Sequence, residues 1–207
     1  MSMATQRLPG VILAGGRATR MGGGDKGLRL VGGRRLLDHV IARLAAQCRP
    51  LALNANGDGA RFAEFGLPVL ADSVAGHPGP LAGVLAGLDW AAGIGAAAIV
   101  TAAADTPFFP ADLVVRLQAA AGPSGLALAA SRDGSGRLWA QPTFGLWPVS
   151  LRDDLRAALA GGLRKVVLWS DSHGAGMAEF SSQPFDPFFN INTPEDIIEA
   201  ERLLGAA

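Results

Sequence analysis

The stretch LAGGRATRMGGGDKG, residues 13–27, joins a run of glycines and basic side chains to a short apolar segment, residues 11–14. The apolar segment predicts a buried first strand. Open α/β sheets bind ligands outside the carboxyl ends of their strands, which is where this loop begins. Glycines let backbone N–H groups approach phosphate oxygens, and Arg20 and Lys26 add positive charge. The stretch therefore predicts a strand followed by a loop that binds a triphosphate.

Two better-known phosphate motifs do not fit this loop. Gly22, Gly24 and Gly27 satisfy the dinucleotide spacing GxGxxG, but they lie well beyond the strand. No acid for a ribose follows about twenty residues later. A P-loop requires Ser or Thr after its lysine, whereas Gly27 follows Lys26. The loop is therefore interpreted as neither motif.

The rest of the chain alternates apolar runs with amphipathic stretches, a pattern typical of βαβ units. It predicts one domain over residues 1–207, of α/β class, with three Rossmann-like layers around a mostly parallel sheet. The expected strands cover residues 51–54, 68–71, 97–103, 126–130 and 166–169, and a hairpin tip is expected at 132–137. The expected helices cover residues 36–47, 81–92 and 150–159, one begins at Pro110, and a last one follows Thr193 as N-cap and Pro194 as first residue.

Composition narrows the class of protein. The 18 basic residues balance the 18 acidic ones, so overall charge gives no indication of nucleic acid or an anionic membrane as partner. Cys48 is the single cysteine, which excludes an intrachain disulfide and favours a packing role for its thiol. The apolar run near the start is too short for a signal segment or a membrane span. A cytoplasmic protein is expected.

The loop at residues 13–26 resembles the corresponding loop of molybdenum cofactor guanylyltransferases. The resemblance continues through NAN at 54–56, DS at 72–73, PGPLAG at 78–83, DTP at 105–107 and NINTPE at 190–195. These blocks follow the family's order over nearly the whole chain. The resemblance implies the nucleotidyltransferase fold, and Gly16 with the Asp25-Lys26 pair favours the guanylyl branch over related cytidylyl and sugar-phosphate transferases.

The resemblance also implies roles for single residues. Asp105 follows the long apolar strand, and Mg²⁺ takes one or two carboxylates together with substrate phosphates, so Asp105 is the expected magnesium ligand. The catalytic residues implied are Lys26, Arg20 and Asp105. The nucleotide contacts implied are Leu13, Ala14, Gly15, Gly16, Lys26, Asn54, Asp72 and Asp105. The acceptor contacts implied are Gly79, Gly83, Asn190 and Asn192.

The activity implied is transfer of GMP from GTP to the phosphate of molybdenum-molybdopterin, with release of pyrophosphate and with Mg²⁺ as cofactor. Further partners implied are a molybdenum-insertion protein and molybdoenzyme chaperones. The alternatives are a cytidylyltransferase or sugar-phosphate nucleotidyltransferase, and a non-catalytic module that senses nucleotide. Which of Asn54 and Asp72 contacts the base and which the ribose stays open.

Overall fold

The computed structural model describes residues 7–15, 25–74 and 79–205. The strands in these residues are β1 (Gly10–Leu13), β2 (Leu30–Val31), β3 (Arg34–Arg35), β4 (Leu51–Asn54), β5 (Val69–Leu70), β6 (Ala98–Ala103), β7 (Ala127–Arg132), β8 (Leu138–Pro148) and β9 (Gly176–Phe180). The helices are α1 (Leu36–Ala45), α2 (Pro80–Gly93), α3 (Leu113–Ala120), α4 (Arg152–Ala160), α5 (Val166–Ser172) and α6 (Pro194–Gly205). Short 3-10 helices lie at Lys26–Leu28, Gly59–Phe65 and Val149–Leu151.

The main sheet has seven strands in the order β5-β4-β1-β6-β8-β7-β9. The first four strands of this order are mutually parallel, and β9 is parallel to β7. Strand β8 runs antiparallel to both of its neighbours, β6 and β7. The predicted mostly parallel sheet is therefore confirmed. Leu13 pairs with Asn54 on one side and Ala103 on the other, so three strands end at one edge.

Helices cover both faces of the sheet, which confirms the three predicted layers. Ile12 packs into a core with α1 and α3, and its neighbour Val11 packs into a second core with α2, α4 and α5. This alternation is what a strand buried on both faces requires. A third, smaller core joins α6 to the hairpin β2–β3 and includes Phe108 and Ile191. Phe108 and Ile191 belong to the segments that contain Asp105 and Asn192, so this core holds both segments in place.

One predicted strand is wrong. Residues 166–169 form the first half of α5, and the strand that pairs with β7 is β9, which the sequence pattern did not indicate. Val166 and Trp169 are buried whereas Val167 and Leu168 are exposed, which is the spacing of a helix. Four apolar residues in succession cannot distinguish a strand from a helix by periodicity. The hairpin β2–β3 was also not predicted.

The predicted hairpin tip at 132–137 is confirmed, since it connects β7 to β8. Across residues 7–15, 25–74 and 79–205, none of the helices combines the length and the apolar character that crossing a membrane requires.

Candidate functional site

A cleft of about 780 Å³ lies at the edge where β1, β4 and β6 end. Its walls come from the strand ends and from the loops that follow them, as expected for an open α/β sheet. The residues that line it are Leu13, Gly15, Asp25, Asn54, Asn56, Gly57, Arg61, Asp72, Gly79, Pro80, Ala103, Asp105, Thr143 and Asn190. The cleft is therefore lined by residues from all six sequence blocks on which the family resemblance depends.

Lys26 and Asp105 meet at this edge. The Nζ of Lys26 lies 3.1 Å from Oδ2 of Asp105, and their side chains are 17% and 16% exposed. Lys26 also donates a hydrogen bond to Oδ1 of Asn192. Three segments that are far apart in the sequence thus converge on one ammonium group.

Backbone hydrogen bonds fix the position of Asp105. The segment after β6 stays attached to β1, because the N–H of Ala104 donates to the carbonyl of Leu13 at 3.1 Å. The N–H of Ile191 donates to the carbonyl of Asp105 at 2.9 Å, and Ile191 is fully buried. The Asp105 carboxylate is therefore held at the cleft by β1 on one side and by the segment before α6 on the other.

Asn192 is held by the N-terminal cap of α6. The carboxylate of Asp196 accepts the backbone N–H groups of Asn192 and Thr193 at 2.7 and 2.8 Å, and the Thr193 hydroxyl accepts the N–H of Asp196 at 3.3 Å. This is a capping box, and with Pro194 as first helical residue it confirms the predicted start of the helix. The cap directs the Asn192 side chain towards Lys26.

Asp72 follows β5, which is three strands away from β6 in the sheet order, and its side chain lies between two amides. Its Oδ1 accepts the Nδ2–H of Asn54 at 2.9 Å, and its Oδ2 accepts the Nδ2–H of Asn56 at 2.7 Å. The N–H of Asp72 donates to Oδ1 of Asn56 at 2.9 Å. An ionised carboxylate accepts about four hydrogen bonds, so Asp72 keeps acceptor capacity for a ligand.

Arg61 and Asp25 form an ion pair on the cleft wall that the sequence analysis did not predict. Nε and Nη2 of Arg61 lie 2.6 and 3.3 Å from the two carboxylate oxygens of Asp25. Nη2 also donates to the carbonyl of Asn56 at 2.7 Å, and Nη1 donates to the carbonyl of Asp58. The guanidinium lies 4.5 Å from the ring centroid of Phe62. The acid beside Lys26 was visible in the sequence, but its partner was not.

Of the predicted contacts in the first strand and the glycine positions, some line the cleft and others are buried. Leu13, Gly15 and Gly79 line the cleft, and Gly79 has a φ of 86° that favours glycine. Ala14 is buried, and its N–H donates to the carbonyl of Asn54 at 2.8 Å.

Gly83 lies within α2 and does not line the cleft. A Cβ at this position would lie 2.2 Å from Oδ1 of Asn54. The missing side chain of Gly83 therefore makes room for Asn54. Asn190 lines the cleft. Gly16 and Arg20 lie outside the described residues.

The donor set fits a magnesium ion held by one protein carboxylate. Among the described residues there is no cluster of three or more His, Cys, Asp or Glu side chains that could hold a metal without help. Mg²⁺ needs no such cluster, because it keeps several waters and binds substrate phosphates. Asp105 would supply that carboxylate, and among the described residues its Oδ1 accepts a long hydrogen bond, 3.4 Å, from the Thr106 hydroxyl. Asp25 and Asp72 are engaged by Arg61 and by two amides.

Comparison with known sequences identifies the family. The MobA-like NTP transferase domain matches residues 10–174. A molybdenum cofactor guanylyltransferase of Bradyrhizobium sp. (strain ORS 278) is 54% identical over 98% of this chain and 95% of its own length. Another, from Rhodopseudomonas palustris (strain BisB5), is 57% identical over 94% of this chain and 93% of its own length.

Solved structures agree on the fold. The molybdopterin-guanine dinucleotide biosynthesis protein A of Archaeoglobus fulgidus aligns with a TM-score of 0.70 at 21% identity, over 97% of this chain and 100% of its own. A 4-diphosphocytidyl-2C-methyl-D-erythritol synthase from Anaerococcus prevotii aligns with a TM-score of 0.71 at 16% identity, over 97% of this chain and 96% of its own. The two neighbours have different names at nearly the same TM-score, so the fold alone does not distinguish between them. At 54% and 57% identity over nearly the whole chain, the curated relatives do select the branch: this chain belongs to the MobA-like NTP transferases and, within them, to the molybdenum cofactor guanylyltransferases.

Proposed function

We propose that this protein transfers GMP from GTP to the phosphate of molybdenum-molybdopterin, releases pyrophosphate and requires Mg²⁺. The observation that carries the proposal is the meeting of Lys26 and Asp105 at 3.1 Å on the wall of a cleft that also contains Asp72. One end of the cleft offers positive charge and a metal ligand, and the other offers hydrogen-bond acceptors. This polarity matches a nucleoside triphosphate.

The Asn54, Asn56 and Asp72 cluster supports binding of the nucleoside. Guanine presents N–H donors next to its O6 acceptor, and a carboxylate fixed by two amides is a complementary acceptor. Because both Asp72 oxygens already accept one amide N–H each, the carboxylate has a fixed orientation before the ligand arrives. A fixed acceptor costs less conformational entropy on binding than a mobile one.

Lys26 and Asp105 support reaction at the phosphates. Phosphoryl chemistry depends mainly on positioning and on neutralising charge. The Lys26 ammonium would stabilise negative charge on the α-phosphate and on the departing pyrophosphate. Magnesium bound to Asp105 would supply a second positive charge and orient phosphate oxygens. The attacking phosphate of the acceptor is ionised at neutral pH, so no general base is required.

Asn190 and Gly79 supply the side of the cleft that we assign to the acceptor. Both line the same cleft as Asp105. The Asn192 side chain is engaged with Lys26 instead, so its contribution to acceptor binding would pass through the position of that ammonium. A cytoplasmic location, a molybdenum-insertion protein and molybdoenzyme chaperones belong to the same proposal and are supported by the family alone.

Pyrophosphate release from GTP, CTP or ATP, with molybdenum-molybdopterin as acceptor and Mg²⁺ present, tests the proposal. We expect release with GTP only, no release with glucose 1-phosphate as acceptor, and loss of release in EDTA. Turnover with CTP alone would show a cytidylyltransferase. GTP binding without pyrophosphate release would show a nucleotide-sensing module.

A further inference from the structure

Among the described residues that line the cleft, acidic side chains outnumber basic ones. Of the described charged side chains that line it, three are acids, Asp25, Asp72 and Asp105, and one is basic, Arg61. A triphosphate is itself strongly anionic, so each unneutralised carboxylate near it weakens binding. Lys26 lies against Asp105. Asp25 needs a different counterion.

Arg61 is that counterion, and its geometry is fixed. The contacts to both Asp25 oxygens form the two-pronged arrangement in which guanidinium pairs are strongest. The remaining hydrogen bonds of Arg61 go to the carbonyls of Asn56 and Asp58, and its face covers the ring of the fully buried Phe62. Because the guanidinium already has these partners within the chain, it is suited to hold Asp25 in place rather than to bind a ligand.

Asp25 is the residue immediately before Lys26. Its carbonyl accepts the N–H of Leu28 at 3.2 Å, which forms the first turn of the 3-10 helix at Lys26–Leu28. An ion pair at the Asp25 side chain therefore fixes the start of the short helix that carries Lys26. Arg61, the other member of the ion pair, belongs to the 3-10 helix Gly59–Phe65, which follows β4. Arg61 thus connects the nucleoside end of the cleft to the lysine.

We propose that Arg61 is a positioning residue that acts through Asp25. It neutralises the carboxylate beside the phosphate site and anchors the segment from which Lys26 extends. This inference rests on the proposed function, because it assumes that a nucleoside triphosphate occupies the cleft. It predicts that loss of Arg61 harms binding chiefly because Asp25 is left charged, so that removal of this charge restores binding.

The test measures the dissociation constant of GTP, with Mg²⁺ present, for the full chain and for R61A, D25N and the double variant. We expect R61A to weaken binding about tenfold and the double variant to recover to within about threefold of the unaltered protein, as for two coupled groups. The R61A defect should shrink between about 20 mM and 500 mM KCl, because salt screens repulsion between Asp25 and phosphate.

Two further variants separate this role from a general loss of structure. R61Q keeps an amide for the Asn56 carbonyl but removes the charge, and it should also be rescued by D25N. R132A removes a similar two-pronged ion pair, in which Arg132 lies 2.6 and 2.9 Å from the oxygens of Glu179 outside the cleft. The dissociation constant of GTP for R132A should lie within about twofold of the value for the unaltered protein, as expected for a surface pair. Thermal unfolding of each variant shows that it is folded.

The outcomes discriminate between explanations. R61A could raise the dissociation constant of GTP by the same factor in the unaltered protein and in D25N. That result would mean that Arg61 contacts the nucleotide directly, and it would overturn the inference. Unchanged binding by R61A and R61Q would overturn it as well. Failure of the unaltered protein to bind GTP would instead overturn the proposed function, so the two failures are distinguishable.

Discussion

The side-chain nitrogen of Lys26 lies 3.1 Å from Oδ2 of Asp105, although 79 positions separate the two residues. Lys26 is in the first turn after the glycine-rich stretch, and Asp105 follows β6. Strands β1 and β6 are parallel neighbours, so the segments that leave them begin at one edge of the sheet. The sheet topology therefore brings the segments that contain Lys26 and Asp105 together, although they are far apart in the sequence.

Removal of the Lys26 charge should lower transfer without unfolding the protein. In Lys26→Met the side chain is unbranched and one atom shorter, and it cannot stabilise charge on the phosphates, so we expect the rate of pyrophosphate release to fall about 10²- to 10³-fold. Lys165 is the matched control, because it is the other lysine of the chain, is exposed and does not line the cleft. Equal rates for Lys26→Met and Lys165→Met would contradict the role of Lys26.

Replacement of Asp105 by Asn should change the response to magnesium. The amide keeps the shape of the carboxylate but is a weaker ligand for a hard cation. We expect the Mg²⁺ concentration for half-maximal pyrophosphate release to rise at least about tenfold, together with a lower maximal rate. A titration of the rate against Mg²⁺ measures both quantities. A curve identical to that of the unaltered protein would place the metal elsewhere.

A methyl group at Gly83 should weaken GTP binding from a position outside the cleft. The new Cβ would lie 2.2 Å from Oδ1 of Asn54 and 2.9 Å from Cδ2 of Leu13. Asn54 would have to move, and its hydrogen bond to Asp72 would be lost or lengthened. We expect Gly83→Ala to raise the dissociation constant of GTP about tenfold.

Gly93 provides the control for that change, since it belongs to the same helix and a Cβ there has no atom within 4 Å. Gly93→Ala should leave GTP binding unchanged and should not destabilise the protein, because alanine favours a helix over glycine. Equal dissociation constants for the two variants would show that Gly83 does not support Asn54.

The sequence predicts which segments form the candidate site, but not the contacts between their side chains. Short apolar runs followed by Gly15, Asn54, Asp72 and Asp105 indicate which residues leave the strand ends, because parallel strands share one carboxyl edge. The contact between Lys26 and Asn192 spans 166 positions. It depends on how α6 packs against β2–β3, and no local pattern encodes that packing.

The Arg61–Asp25 pair shows the same limit. Arginine within a polar segment after β4 is most simply a solvated residue, and nothing in its neighbourhood indicates a partner 36 positions earlier. The segment 166–169 fails for a different reason, since four consecutive apolar residues satisfy both strand and helix periodicity. Patterns that repeat over a whole element are therefore informative here, whereas single long-range pairs and short apolar runs are not.

A buried polar pair that joins β6, the strand leading to Asp105, to its neighbour β8 should contribute to stability. The Nε1–H of Trp147 donates to the Thr101 hydroxyl at 2.8 Å, and both residues are at most 1% exposed. Thr101→Val keeps the volume but leaves the indole N–H without an acceptor, so we expect the free energy of unfolding to fall by about 1–3 kcal/mol. Urea unfolding measures this change.

Thr101→Ser tests whether the hydroxyl is the cause. It keeps the acceptor and loses one methyl group, at a cost of about 1 kcal/mol. The explanation requires Thr101→Val to be the less stable of the two variants, and the reverse order would reject it.

Cys48 should be chemically inert in the folded protein. Burial raises the pKa of its thiol to about 12, from an ordinary value of 9.0. At pH 8 about one molecule in ten thousand would then carry the reactive thiolate. We expect no reaction with an aromatic disulfide reagent in native buffer and one thiol per chain after denaturation in guanidinium chloride.

The same shift predicts a loss of stability in alkali. The folded state binds the thiol proton more tightly than the unfolded state, so the contribution is fully present below pH 9 and is lost as the pH rises towards 12. Cys48→Ala removes the titrating group, and its free energy of unfolding should fall less steeply over this range than that of the unaltered protein. Parallel curves for the two proteins, or full labelling in native buffer, would show that the thiol is accessible to solvent. Because Cys48 contacts the core beneath β1, such access would also mean that the base of the strand leading to the cleft opens readily.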